Sequence, residues 1–280
     1  MLPRHFFKHQ PATAPTAERS HPAAIREGVR IYAIGDIHGR FDLLGKMLAA
    51  IDADRANGQH HHSLEVYIGD YVDRGPHSAN VIAELMARRE SAKSAEQSLV
   101  FLRGNHEQAC TDFLDRKLSL AGWLSYGGDA TFESYRQSCS QRLGEGERAI
   151  VDEMDTIGRH EEEKVRWALD ALTPPSHHIF LRALPFFFVF DDYFFCHAGV
   201  DPTIPLERQP KTALMTIREP FLSTQHMLSK RIVHGHTPVS EVEIRANRIN
   251  VDSGAFSSGV LSAVVLEGQG TRILAVDDKS

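Results

Sequence analysis

The chain has 280 residues, 42% of them apolar and 24% charged, with a formal net charge of −6. This is the composition of a soluble globular protein with enough chain to bury a large core, and an α/β fold of this size often forms one unit. The net negative charge, with no basic stripe to neutralise phosphates, excludes a non-specific nucleic-acid binder, and no run approaches the roughly 18 apolar residues of a membrane span.

Three cysteines, Cys110, Cys139 and Cys196, lack a CxxC spacing and are odd in number, so reduced thiols are expected rather than a disulfide framework. The N-terminus lacks the apolar core of a signal peptide, and the expected compartment is the cytoplasm. Residues 1–26 hold Pro, Ala, Ser, Thr and His with little periodicity, which predicts a flexible tail ahead of one domain over 27–280.

The run Val29-Arg30-Ile31-Tyr32-Ala33-Ile34 is β-branched and aromatic enough for a buried strand. It ends in Gly35-Asp36-Ile37-His38-Gly39, where glycine allows a sharp turn. Asp36 and His38 thus stand at a strand's carboxyl end, where open α/β sheets bind ligands, and a carboxylate and an imidazole two residues apart can chelate one cation. A helical spacing follows over Phe41–Leu48, broken by Asn57-Gly58-Gln59, and the triplet His60-His61-His62 reads as a solvated loop before the next strand.

The construction then repeats. Glu65–Ile68 leads into Gly69-Asp70-Tyr71-Val72-Asp73-Arg74-Gly75, and a helix is predicted over Ser78–Met86 with Ser78 as its N-cap. Leu99–Leu102 leads into Arg103-Gly104-Asn105-His106-Glu107. Residues 108–180 depart from this rhythm, being helical in pattern with turns at Gly127-Gly128, Gly144-Glu145-Gly146 and Pro174-Pro175, so a helical insertion beside the site is expected. Within it Glu162 and Arg166 are spaced to pair on an exposed helix face, and Trp123 and Tyr126 read as packing residues or as lining of a substrate groove.

Beyond Pro185 the texture is β-rich, with candidate strands at 186–190, 242–244, 249–251, 260–266 and 273–276, suggesting a second sheet packed on the first. Two further runs end in histidines: Tyr193–Cys196 before His197-Ala198-Gly199, and Arg231–Val233 before His234-Gly235-His236-Thr237.

These five segments, in this order, resemble the signature of the phosphoprotein phosphatase branch of the calcineurin-like metallophosphoesterase superfamily, and the resemblance covers residues 29–266. It implies an α/β (α+β) fold, a two-sheet β-sandwich flanked by helices. It also implies two divalent cations, with Asp36, His38 and Asp70 on one and Asp70, Asn105, His197 and His236 on the other. His234 shares its parity with His236 along the strand and competes with it as a ligand. Imidazole and carboxylate donors suit manganese, or an iron and zinc pair, better than magnesium.

A phosphate monoester is hydrolysed when a hydroxide shared by two cations attacks phosphorus, the phosphoryl oxygens are neutralised, and the leaving alkoxide is protonated. The resemblance makes His106 the general acid and Asp73 the carboxylate that orients it, consistent with an imidazole held protonated near neutral pH. Arg74 offers a planar fork of donors for phosphate oxygens, and Arg218 resembles a second phosphate-gripping arginine of bacterial relatives. Asp252 is expected to support the histidines without being a ligand. The residues around His197 and His236 look more like those of bacterial and phage enzymes, including the rhizobial-like group, than of eukaryotic ones, so no eukaryotic-type regulatory subunit is expected. The expected activity is hydrolysis of phosphoserine, phosphothreonine or phosphotyrosine in proteins, with symmetrical dinucleoside tetraphosphate hydrolysis as the alternative and a metal-binding scaffold without turnover as a third.

Overall fold

A computed structural model describes residues 21–58, 60–92, 96–154 and 161–279. The expected tail over residues 1–20, and Gln59 of the expected helix break, lie outside the described residues. Packing begins before residue 27: Ala23 and Ile25 are buried, and Ile25 N donates to Gly268 O at 2.7 Å.

Three strands, β1 (Val29–Ile34), β2 (His62–Tyr67) and β3 (Gln97–Phe101), run parallel, linked by helices α1 (Phe41–Ala56) and α2 (Ser78–Ser91). The β2 strand starts earlier than its apolar run, and takes in His62 from the histidine triplet. Among the described residues six α-helices fill the stretch to the next strand: α3 (Asn105–Leu114), α4 (Leu120–Leu124), α5 (Gly128–Cys139), α6 (Glu145–Asp152), α7 (Glu162–Leu172) and α8 (Pro175–Arg182). Then come β4 (Phe187–Phe190), β5 (Tyr193–Cys196), helix α9 (Lys211–Thr216), β6 (Arg231–His234), β7 (Glu243–Ile244), β8 (Arg248–Asn250), β9 (Val260–Glu267) and β10 (Gly270–Asp277).

The strands form two five-stranded sheets, ordered β10-β9-β1-β2-β3 and β4-β5-β6-β8-β7. The last two candidate strands therefore return to the first sheet instead of extending the second. Val260–Glu267 carries an apolar run buried on both faces, as suits a strand with neighbours on both sides, and β10, largely exposed or half-buried, covers its outer edge. Between the sheets lies a core of Ile31, Ala33, Val66 and Ile68 from one side and Phe195, Val233, Ile249 and Val251 from the other. The helices cover the outer face of the first sheet through Leu43, Leu44, Val81 and Phe180, while Leu214 and Phe221 cover the second.

Strands β1, β2 and β3 in one sheet, and β5 and β6 in the other, present their carboxyl ends to a common edge, where the five loops meet. Backbone bonds lock them together. His38 N donates to Asp70 O at 2.8 Å, Leu102 N to Tyr67 O at 2.9 Å, and Gly235 N to His197 O at 2.7 Å.

Inside the helical stretch one expectation is corrected and one open alternative is decided. Arg166 pairs with Glu162 at 2.5 Å, but its side chain is buried, donating to Phe113 O at 2.7 Å and lying over the Phe113 ring. Trp123 is fully buried and stacked on Phe113 at 4.7 Å between centroids, so it is core and lines no groove. Among the described residues no helix is long and apolar enough to cross a membrane, and all three cysteines are free and buried.

Candidate active site

Seven non-glycine residues have positive φ among the described residues, and five of them belong to the loops at the common edge: His38 (46°), Asp70 (53°), Asp73 (68°), Arg74 (68°) and His236 (67°). Each such conformation costs about 1–3 kcal/mol and persists only where its surroundings over-determine it, which is why such residues gather at functional sites. The left-handed turn at His236 also breaks the strand parity it would share with His234.

The two histidines consequently part company. His234 is fully buried, its Nδ1 3.0 Å from Gly235 O, its Nε2 3.5 Å from Arg248 Nη1, and its ring edge-on to Phe221. It is a core residue. His236 instead turns its Nδ1 to within 3.2 Å of His197 Nε2 and 2.9 Å of Asn105 Oδ1.

Around that point four acceptor atoms converge. His197 Nε2 lies 2.9 Å from Asn105 Oδ1 and 3.3 Å from Asp70 Oδ2. Because His197 Nδ1 sits 3.1 Å from Ile68 O, that nitrogen carries the ring proton and Nε2 presents a lone pair. Likewise His38 Nδ1 lies 2.9 Å from Val72 O, leaving Nε2 as a lone pair 3.5 Å from Asp70 Oδ2. The donor atoms of Asp70, His197 and His236 all lie within 4.8 Å of one another, as do those of His38, Asp70 and His106. Asp70 belongs to both groups.

Asp36 stands at the junction of the first and last loops rather than in either triad. Its Oδ2 accepts from His236 N at 3.1 Å, while its Oδ1 is buried without a hydrogen-bond partner. Burial, with Asp252 and Asp70 close by, pushes the Asp36 carboxyl well above its ordinary value. Burial would push Asp70 up too, but His197 and His106 beside it outweigh that and hold it well below. Asp252 accepts from Gly254 N at 2.8 Å and is buried.

Converging lone pairs about 3 Å apart, an orphaned carboxylate oxygen and crowded buried carboxylates are costly unless a cation sits among them. The donor set fits: nitrogen and oxygen only, with burial lowering His38 and His236 to about 3 so that both are neutral and ready to ligate. His197 is raised despite burial, by its contact with Asp70.

His106 differs from the other imidazoles. Its Nδ1 lies 2.9 Å from Asp73 Oδ2, and its Nε2 is buried without a hydrogen-bond partner, 3.8 Å from Asp70 Oδ2. Burial would lower its pKa, but Asp70 and Asp73 outweigh it and raise it, favouring the protonated acid. Close approach in this loop requires Gly104, where an added Cβ would lie 2.0 Å from Asp70 Oδ1.

Three contributors to the site went unassigned in the sequence. Glu107, fully buried, accepts from the backbone N–H groups of Asp70 at 2.9 Å, Tyr71 at 2.7 Å and Gly104 at 2.9 Å, and so ties the second loop to the third. Its place in Gly-Asn-His-Glu was the available signal. Ser78 does not cap α2, whose N-cap is His77; its Oγ accepts from Asp73 N at 3.2 Å. Thr131, on α5, donates to Asp73 Oδ1 at 2.7 Å, and nothing local in the sequence marks it.

Outside the donors lies a cavity of about 370 Å³, lined by Arg74, Arg218, Ser125, Tyr126 and Thr216 beside Asp70, His106 and His236. Arg74 Nη1 reaches to 3.2 Å from His38 Nε2. Arg218 is exposed, and among the described residues no carboxylate pairs with it, which removes the salt bridge to Glu219 as its explanation. Tyr126 packs edge-on to the His106 ring at 5.1 Å.

Residues 29–265 match the calcineurin-like phosphoesterases. The chain belongs to that family. Its relatives include serine/threonine-protein phosphatase 1 of Salmonella typhimurium, 27% identical over 83% of this chain and 89% of the other. They also include an asymmetrical bis(5'-nucleosyl)-tetraphosphatase of Halalkalibacterium halodurans, 24% identical over 82% and 87%. Among solved structures, one named as a "putative diadenosine tetraphosphatase" superposes with a TM-score of 0.59 at 20% identity, over 92% of this chain and 98% of that one. A cold-active protein tyrosine phosphatase superposes at 0.52 and 18%, over 90% and 81%. These two establish likeness of fold.

Proposed function

We propose that this member of the phosphoesterase family is a phosphoprotein phosphatase, hydrolysing phosphomonoesters of protein side chains. The observation that carries this reading is the lining of the cavity: two arginines, Arg74 and Arg218, beside the His106 imidazole, with Tyr126 the one tyrosine, phenylalanine or tryptophan side chain lining it among the described residues. Two nucleosides would call for stacking surfaces and an enclosing site.

Asp36, His38 and Asp70 would hold one divalent cation, and Asp70, Asn105, His197 and His236 a second, with manganese the preferred occupant and an iron and zinc pair the alternative. When bound, such a pair supplies a nucleophile at neutral pH and neutralises the phosphoryl oxygens. The protein's own groups do the rest. Arg74 and Arg218 grip the phosphate through their planar donor forks. His106 Nε2–H gives its proton to the leaving oxygen as the P–O bond to the side chain breaks, so that serine, threonine or tyrosine departs as a neutral hydroxyl. Asp73, bound to Nδ1, holds the ring in line and stabilises its charge.

Dinucleoside tetraphosphate hydrolysis is the second reading, favoured by the tetraphosphatase relative. That relative bears the asymmetrical name, whereas the alternative expected from the sequence is the symmetrical reaction. One comparison separates the two. With manganese at one pH, kcat/KM for phosphoserine and phosphotyrosine peptides is expected to exceed that for diadenosine tetraphosphate. A tenfold advantage for the dinucleotide, about 1.4 kcal/mol of transition-state preference, would overturn the phosphoprotein reading, and its products would tell symmetrical from asymmetrical cleavage.

A further inference from the structure

We infer that the helical insertion aligns the general acid, and that Thr131 is the positioning residue through which it does so. The inference rests on reading His106 as the acid.

Thr131 lies on α5, is fully buried, and has its hydroxyl saturated by the second loop. The hydroxyl accepts from Asp73 N at 2.8 Å and lies 3.1 Å from Ser78 Oγ. A hydroxyl has one proton and two lone pairs. A carboxylate oxygen can only accept, so the Thr131 proton goes to Asp73 Oδ1, 2.7 Å away, and its lone pairs are left for the Asp73 N–H, which it shares with Ser78 Oγ, and for the Ser78 hydroxyl. That leaves Oδ2 for His106 Nδ1 at 2.9 Å. The rotation of the Asp73 carboxylate is thereby fixed, and with it the nitrogen of His106 that carries the permanent hydrogen bond and the one that faces the cavity.

Two neighbours on the same segment act in the same direction. Gly127 O accepts from Arg74 N at 3.1 Å, pinning the second of two consecutive left-handed residues, and Tyr126 sets its ring edge-on to His106. Gly127 itself has φ of 84°, and an added Cβ there would lie 3.0 Å from Arg74 N, so this approach needs glycine. The segment from Tyr126 to Thr131 thus touches the acid's ring, the carboxylate that holds it and the backbone of the phosphate-gripping arginine, while supplying no cation donor.

The test compares the parent, Thr131→Val, Thr131→Ser and His106→Asn, each assayed for metal content and for turnover of an aryl phosphate and a phosphoserine peptide. Thr131→Val keeps the shape and removes the hydroxyl. It is expected to lower kcat on the peptide by about 10- to 100-fold with KM unchanged, and to lower turnover of the aryl phosphate, whose leaving group needs little protonation, by no more than about threefold. Thr131→Ser should recover most of the loss. In histidine-labelled protein loaded with diamagnetic zinc, the Nδ1–H resonance of His106 should be sharp in the parent and in Thr131→Ser, and broadened in Thr131→Val. Equal losses on both substrates, no loss on either, or an unchanged resonance would overturn the inference. A parent inactive on every phosphate ester would sink the functional reading alone, since the resonance still tests the alignment. Should Thr131→Val fail to fold, Ser78→Ala, which withdraws the donor that orients the Thr131 hydroxyl, must give the same substrate split at smaller size, and its absence would be equally fatal.

Discussion

The loops at the strand ends and the helical insertion border the same cavity but differ in kind. The loops carry every candidate cation donor, each one to four residues past the end of a strand, and hold them with bonds between backbones and with left-handed turns at His38, Asp70 and His236. The insertion lines the cavity with Ser125 and Tyr126 and bonds to the loops through Thr131 and Gly127, on side chains and turns that packing between helices positions. Donor geometry therefore belongs to the sheets, and the acid's alignment and the cavity's outer wall belong to the insertion. Variants on either side should fail differently.

The largest effect is expected at Asp70, the carboxylate common to both donor groups. Asp70→Asn keeps the shape but removes the charge facing both cations, so metal and activity should fall together. Loss of the charge stabilisation that a cation pair supplies, several kcal/mol, corresponds to about 10³-fold or more in turnover. Elemental analysis beside kcat checks it. Two tightly held metals per chain in the variant would show that Asp70 is not shared.

His106→Asn should separate the two regions from the other direction. The ring is held by Asp73 and contacts the insertion's Tyr126, and its loss is expected to leave metal content intact while lowering turnover of alkyl phosphates by about 10²- to 10⁴-fold. Metal lost along with turnover would return His106 to the ligand loops, where its proximity to His38 and Asp70 makes it a rival donor.

The same division explains what could be read from the sequence. Asp36, His38, Asp70, Asn105, His197 and His236 each follow an apolar run ending in a turn, a pattern written in consecutive residues, so the two sheets and their donor loops were legible. Whether β9 belonged to the first or second sheet was not, because a doubly buried strand has the same pattern in either. Thr131 and Ser78 were also invisible: their partner Asp73 is 58 residues away from one and is reached by the other through a hydroxyl that looked like a helix cap. Trp123 and Tyr126, three residues apart, could equally have been core or groove. The tertiary fold sends one to Phe113 and the other to the cavity.

Trp123→Ala sharpens that separation. Removing a fully buried indole stacked on Phe113 should destabilise the fold by about 3–5 kcal/mol, visible as a lower denaturant midpoint, while the protein that remains folded keeps its KM. A change in KM at unchanged stability would return Trp123 to the substrate groove.

The smallest effect on turnover is expected where the sequence offered a competing ligand. His234 is fully buried, faces Gly235 O and Arg248, and meets the edge of Phe221. Burial holds its imidazole at about 3, so it is neutral through the working pH range and carries no charge to lose. His234→Gln retains polar groups for these neighbours and should cost about 1 kcal/mol or less than 2 in stability, with metal content and kcat/KM within about threefold of the parent. His236→Gln, one residue beyond the intervening glycine, should lose metal instead. The comparison is decided by metal stoichiometry measured on both variants after dialysis against a weak chelator. If His234→Gln is the one that loses a cation, the left-handed turn at His236 has been assigned the wrong purpose, and the second donor group must be rebuilt around the residue at the end of β6.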